Sequence, residues 1–300
     1  MGTPEFAVPS LEILLHHHYD VVGVITAPDK SMGRGLKMGI SPVKAAALKH
    51  NLVVMQPTNL KDSVFLDQLR SLNANTQVVV AFRMLPEIIW AMPEYGTFNL
   101  HASLLPNYRG AAPINWAIIH GEEQTGVTTF FLEKEIDTGH IIFQEKEIIN
   151  PEDNAGTLYH RLMEKGAQLV LKTVQAIAEG NGVGVPQSSS NDLKIAPKLF
   201  RETCQINWNQ PVRKVHDFVR GLAPYPAAWF LLQGKNCKVY KTHIVNEAIP
   251  LDVVQLGDYK TDHENYIYIK CQDGYIALEE IQLEGKKRLP VREFLRGCKL

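Results

Sequence analysis

Residues 97–118 read TFNLHASLLPNYRGAAPINWAI. A short apolar run, Thr97 to Leu100, leads through a turn-rich stretch with Pro106 and Gly110 into a helical pattern from Pro113 to His120, with Pro113 at a first-turn position. Strand, loop, helix is the repeating unit of an α/β fold. Alternate residues of a strand share a face, so Asn99 and His101 point the same way, about 6 to 7 Å apart, while Leu100 points into the opposite layer.

Outward from this stretch the same alternation recurs. Val21 to Ile25, Val53 to Gln56 and Val78 to Phe82 are short apolar or β-branched runs, and Pro9 to His18, Ser41 to His50 and Ser63 to Leu72 carry helical spacing between them. A parallel sheet covered on both faces, Rossmann-like in character, is the expected first domain, residues 1–180. A long helix is expected from Thr157 to Glu179, and Gly180 to Asn191 breaks into Gly, Pro and Ser, so a linker is placed at 181–205. In 206–300 a helix at Val212 to Leu222 precedes strand-like runs at Trp229 to Leu232, Lys238 to Thr242, Tyr266 to Cys271 and Tyr275 to Ile281, a series that predicts a small β-barrel.

Composition agrees with this plan. Three hundred residues with 45% hydrophobic content supply two cores. No apolar run reaches bilayer-spanning length and no basic segment precedes an apolar signal core at the N-terminus, so a cytoplasmic, non-membrane protein is expected, read as a monomer. Cys204, Cys237, Cys271 and Cys298 are widely spaced without CxxC pairing and are read as reduced structural thiols. His16, His17 and His18 diverge by about 100° per residue on a helix, so no metal is expected. Residues 1–200 hold 16 Lys and Arg against 20 Asp and Glu, 16 − 20 = −4, whereas 201–300 hold 15 against 12, 15 − 12 = +3. That modest surplus fits contact with a phosphate backbone from the second half. Neither GxGxxG nor a Walker loop is present, which argues against nicotinamide and nucleoside triphosphate cofactors.

Asn99 offers a donor beside the titratable His101, and Asp137, in EIDTGHI between the apolar runs Thr128 to Leu132 and His140 to Phe143, can orient that imidazole. Such a trio suits acyl or formyl transfer, in which a carbonyl oxygen gains negative charge while a nitrogen exchanges a proton; a structural hydrogen-bonded pair is the competing reading. In context, NLHASLLPNYRGAAPINWAI followed by GEEQTGVTTFFLEKEIDTGHI closely resembles the folate-dependent formyltransferases. MGTPEFAVPSLEILL, TAPDKSMGRGLKMGISPVK, AGTLYHRLMEKGAQLV and PYPAAWF extend the resemblance over most of the chain, toward members acting on methionyl initiator tRNA.

The resemblance implies 10-formyltetrahydrofolate as co-substrate, with no metal, and methionyl initiator tRNA as acceptor. It implies Asn99, His101 and Asp137 as the catalytic trio: Asn99 donates to the oxyanion, His101 relays the proton and Asp137 holds His101, the first proton acceptor being left open between the last two. Folate is expected against Ser103, Leu104, Leu105 and Pro106, with Met84 and Leu85 nearby. The loop Asp29 to Lys44 is expected to meet the tRNA acceptor end through Arg34, Lys37 and Lys44, and the second domain is expected to be OB-like. Members of this family begin with an apolar strand, yet here Met1 directly precedes Gly2-Thr3-Pro4, so the first strand is expected to be absent or drastically shortened, by a truncation or by a start downstream of the true one. Arg83 and His140 are lesser departures. An amino-sugar or small-amine acceptor, and a noncatalytic RNA-binding role, are the alternatives. Arg109 is read either as a phosphate or substrate contact or as the anchor of its turn; Trp90 and Trp116 as core aromatics; Lys286, Lys287 and Arg288 as a solvated hairpin tip, with tRNA backbone contact as the second reading.

Overall fold

The computed structural model describes residues 1–32, 37–188, 192–246, 255–298 and 300. Its helices are α1 (Val8–His16), α2 (Pro42–Lys49), α3 (Ser63–Ser71), α4 (Glu87–Trp90), α5 (Pro113–Ile119), α6 (Ala155–Ala178), α7 (Val212–Leu222) and α8 (Val291–Gly297). Strands in the first half are β1 (Val24–Ile25), β2 (Lys30–Met32), β3 (Lys37–Gly39), β4 (Val54–Met55), β5 (Gln77–Val80), β6 (Thr97–His101), β7 (Arg109–Gly110), β8 (Gln124–Phe131) and β9 (Ile141–Ile148). The second half adds β10 (Ile195–Ala196), β11 (Ala228–Leu232), β12 (Lys235–Val245), β13 (Tyr259–Thr261), β14 (Ile267–Lys270), β15 (Tyr275–Leu283) and β16 (Leu289–Pro290).

Contacts divide the chain into two compact units, one of Met1–Gly110, Thr125–Glu147 and Tyr159–Ile195, the other of Ala111–Gln124, Ile148–Leu158 and Ala196–Leu300. The second unit thus draws two short segments out of the first 180 residues. Hydrogen bonds within it show why: Asn115 on α5 donates to Gly221 O at 2.8 Å, and Arg220 on α7, whose Nε donates to Asp217, reaches Asp153 O at 3.0 Å.

In the first unit β1 and β4 are parallel, as are β5 and β6. Met1 and Gly2 lie between the two pairs: Gly2 N–H donates to Ile25 O, Val80 N–H donates to Met1 O, and Gly2 bridges Val80 in parallel sense. These two residues thus join the strands on either side. Beyond β6 the parallel sheet gains an antiparallel partner, β8, with Asn99 opposite Phe130 and His101 opposite Thr128. Caps begin the helices as the side chains dictate: Ser41 accepts from Lys44 N–H at 3.1 Å before α2, and Asp62 accepts from Phe65 N–H at 3.0 Å before α3. Ile25, Phe65, Leu69, Val79 and Ile89 fill one core of this unit.

The second unit carries an antiparallel sheet in the order β11-β12-β15-β14-β13, with β16 on β15, an open half-barrel where the runs of alternating residues predict a barrel. Val215, Val219 and Leu222 of α7 fall at helical spacing and pack with Ile267, Ile269, Ile276 and Ile281 of the sheet. The four cysteines are free, and burial pushes the Cys237 and Cys271 thiols up to about 12, as inert packing groups.

Candidate active site

Strand β6 separates two environments. Leu100 faces α6, where a Cβ on Gly166 would stand 2.7 Å from Leu100 Cδ2, and the neighbouring Thr129 hydroxyl bonds that of Thr173 on α6 at 2.8 Å. Asn99 and His101 occupy the other face, as alternation requires. His101 is 6% exposed and Asn99 half-buried. Asn99 Oδ1 is buried without a hydrogen-bond partner among the described residues. Leaving such an acceptor unpaired costs about 1–3 kcal/mol.

The His101 ring is held from one side. Its Nε2 stands 2.8 Å from Tyr108 O, and a carbonyl only accepts, so the proton sits on Nε2. The Nδ1 lone pair of the neutral ring is then free to take a proton, with Asp137 Oδ2 3.7 Å away. Asp137 also accepts from Gly110 N–H, through the same oxygen, at 2.9 Å. Two residues of one segment, Tyr108 and Gly110, thus fix both partners. The turn bearing Asp137 is demanding: Asp137 has φ +56°, and a Cβ on Gly139 would fall 1.8 Å from Phe131 O, so only glycine fits there.

The Ser103–Pro106 turn is closed on itself. Ser103 Oγ donates to Asn107 O at 2.7 Å, Thr128 Oγ1 donates to Ser103 O at 2.6 Å, Leu105 N–H donates to Thr128 Oγ1 at 3.2 Å, and Gln144 Nε2 donates to Leu105 O at 2.9 Å. The Ser103 hydroxyl expected to bind a ligand's polar edge already gives its proton to the backbone. Leu104 leans on Gly126, where a Cβ would meet its Cδ2 at 2.5 Å, while Leu85 is buried and Met84 is 70% exposed.

Of the cations expected to face tRNA, Arg34 lies outside the described residues, and Lys37 is described only as part of β3. Lys44 is engaged: its ammonium bonds Asp29 Oδ2 at 2.5 Å, and Gln56 Nε2 bonds Asp29 Oδ1 at 2.7 Å. Those bonds, Lys44's first, hold the Asp29 carboxyl below its ordinary value. Arg109 anchors its turn rather than presenting a bare cation, since its Nε and a terminal nitrogen donate to Gln187 Oε1 at 3.2 and 2.6 Å. Arg83 caps the carbonyls of Pro57 and Thr58, and His140 pairs with Glu133. Arg288 pairs with Glu280 and covers the Tyr240 ring at 4.1 Å. Gln187, Tyr108, Thr128 and Gln144 complete this network, and in the sequence only the Thr128-Thr129 pair within a strand-like run hints at buried polar roles. Among the described residues no group of three or more His, Cys, Asp or Glu side chains is placed to hold a metal, and no helix is long and apolar enough to cross a membrane.

A strand-borne amide and imidazole share one face of β6, the imidazole 3.7 Å from a carboxylate, in a chain whose parallel sheet is followed by an antiparallel half-barrel. The chain belongs to the formyl transferase family: the formyl transferase model matches residues 2–174 and its C-terminal-domain model residues 198–299. It is 50% identical to a methionyl-tRNA formyltransferase of Bacteroides fragilis over 100% of this chain and 94% of that protein, and 51% identical to one of Flavobacterium johnsoniae over 99% and 94%. Among solved structures, a sugar 3N-formyl transferase, WlaRD, determined with dTDP and 5-N-formyl-THF, superposes with TM-score 0.68 at 23% identity, covering 95% of this chain and 97% of that one. HypX from Aquifex aeolicus, determined with tetrahydrofolic acid, superposes with TM-score 0.61 at 19% identity over 83% of this chain and 43% of that one.

Proposed function

We propose that this chain transfers the formyl group of 10-formyltetrahydrofolate to the amino group of methionyl initiator tRNA, acting as a cytoplasmic monomer. The observation that carries the chemistry is His101 with its proton held on Nε2 and its Nδ1 open beside Asp137, two residues from the unpartnered Asn99 amide. Near 50% identity over the whole chain to proteins named methionyl-tRNA formyltransferase supports the acceptor.

The co-substrate supplies a formyl carbon bonded to a nitrogen that can leave. Asn99 donates through Nδ2 to the formyl oxygen as that oxygen gains charge. An α-amine titrates near about 8 and is partly neutral at pH 7, so a moderate base suffices. His101 takes the amine proton at Nδ1 and returns it to the departing folate nitrogen, while Asp137 balances the positive charge held between those steps. The new bond joins the methionyl nitrogen to the formyl carbon and the bond to folate breaks. Ser103, Leu104, Leu105 and Pro106 form the wall against which the folate lies, as shape more than as donors, with the exposed Met84 beside it. Residues 1–180 are the catalytic part, 181–205 the linker and 206–300 the tRNA-holding part. Arg34, Lys37 and Lys44 meet the tRNA; Lys44, already paired with Asp29, contributes least.

The test is formyl transfer to methionyl initiator tRNA against methionyl elongator tRNA and free amino sugars, with Asn99→Ala as control. Rapid initiator-selective transfer, lost in the control, is expected; transfer to the amino sugar without tRNA dependence would move the protein to the acceptor class of WlaRD.

A further inference from the structure

We propose that Gln187, fifty residues beyond Asp137, is the positioning residue that sets the aim of the Asp137 carboxylate, and that Arg109 sets Gln187. The inference rests on the formyl-transfer reading above. Gln187 Nε2 has two hydrogens, and the two backbone carbonyls on either side of Thr138 receive them: Asp137 O at 2.9 Å and Gly139 O at 2.8 Å. Its Oε1 accepts both Arg109 contacts, at 3.2 and 2.6 Å. Reversing the amide would set its oxygen against two carbonyl oxygens and its NH2 against a guanidinium, so the orientation is determined by the partners.

The clamp matters because the turn's other main-chain bond, from Phe131 N–H to His140 O at 2.9 Å, holds only the residue beyond Gly139. Asp137 has a left-handed backbone, and within that turn Thr138 Oγ1 adds only a local bond to Glu135 O at 3.1 Å. The Gly110 N–H bond fixes one carboxylate oxygen but leaves the peptide beneath it free to rotate. Gln187 removes that freedom by holding the carbonyls on both sides of the turn's apex. Its own anchor, Arg109, stands between Tyr108, whose carbonyl holds His101 Nε2, and Gly110, whose N–H holds Asp137. One three-residue segment is therefore the common reference for the imidazole, the carboxylate and the amide that aims the carboxylate. The Nδ1 to Oδ2 separation of 3.7 Å follows from this frame.

Gln187→Glu in the full chain removes both donors: the carboxylate keeps the size and the Arg109 contact but has no hydrogen for either carbonyl. A displacement of a reacting group by about an ångström costs up to roughly a hundredfold in rate, so kcat is expected to fall about ten- to a hundredfold with KM for folate and tRNA held within about twofold. In an Asp137→Asn background, itself impaired, the same change should add less than about a twofold loss, since both act through one carboxylate. Arg109→Lys, which leaves Gln187 Oε1 a single donor, is the second variant, with a smaller kcat loss and the same lack of additivity. Losses that multiply in the Asp137→Asn background would reduce Gln187 to a linker pin and overturn the positioning role alone. Parental activity of Asp137→Asn would remove Asp137 from the reaction and the role of Gln187 with it.

Discussion

At the end of β6, His101, Ser103 and Thr128 are buried polar side chains, each bonded to a particular backbone carbonyl, and the Asn99 amide beside them keeps an oxygen without a partner. Across β11 to β15 the buried side chains are chiefly Ile, Leu, Val and Cys, while pairs such as Lys241 with Glu279 and Arg288 with Glu280 stay partly exposed. Apolar burial is nondirectional and scales with area, so the half-barrel tolerates small shifts; the β6 region depends on angles and distances that only particular residues meet. Stability and chemistry should therefore respond to substitution in opposite ways in the two regions.

The largest effect is expected in the half-barrel. Ile269 is 0% exposed, pairs with Tyr259 and Ile276 across the sheet, and becomes a cavity in Ile269→Ala. A loss of about 2–5 kcal/mol in denaturant unfolding is expected, with turnover per folded molecule unchanged. A variant of full stability and poor turnover would erase the contrast.

Asn99→Ala is the converse. Removing a donor to a developing oxyanion costs about 10² to 10³ in kcat, about 2.7–4 kcal/mol of barrier. The unpartnered Oδ1 gives the fold nothing to lose, so the denaturation midpoint should stay or rise. A midpoint that drops in step with activity would mean that Asn99 is structural.

The same contrast explains what could be read from the chain. Helix α7 spans Val212–Leu222, as its periodicity implies, because Val215, Val219 and Leu222 mark one apolar face. Alternation located β14 and β15 for the same reason. Pairing of Asn99 and His101 followed from strand geometry alone. What hydropathy cannot carry is direction and partnership: β8 runs antiparallel to β6, α5 belongs with the second unit, and the Ser103 hydroxyl is given to Asn107. Gln187 has no local signature because its bonds run to two carbonyls about fifty residues away, and the left-handed backbone of Tyr108 and Asp137, at residues other than glycine, leaves no mark in composition. Those positions cluster at the proposed chemistry, where local preference yields to geometry.

The smallest effect separates structure from substrate at Lys44. Its bond, and then Gln56's, depress the folded Asp29 carboxyl below its ordinary value. A group lowered on folding stabilises the native state above its unfolded value, about 3.9, and that contribution drains away as pH falls through the lower folded value. In the parent chain this adds to the loss of stability as pH falls below the unfolded carboxylate value. Lys44→Met should flatten that acid slope and lower stability slightly at pH 7, as expected of a pair whose side chains are only 18% and 23% exposed. Denaturant midpoints across pH measure the first effect, and KM for initiator tRNA measures the second role proposed for this lysine. Because the ammonium already faces Asp29, KM should rise less than about threefold, below the full weight of one phosphate contact. A tenfold rise together with a flattened acid slope would instead mean that Lys44 leaves Asp29 for the tRNA, so that the first unit holds an ion pair that exchanges with substrate.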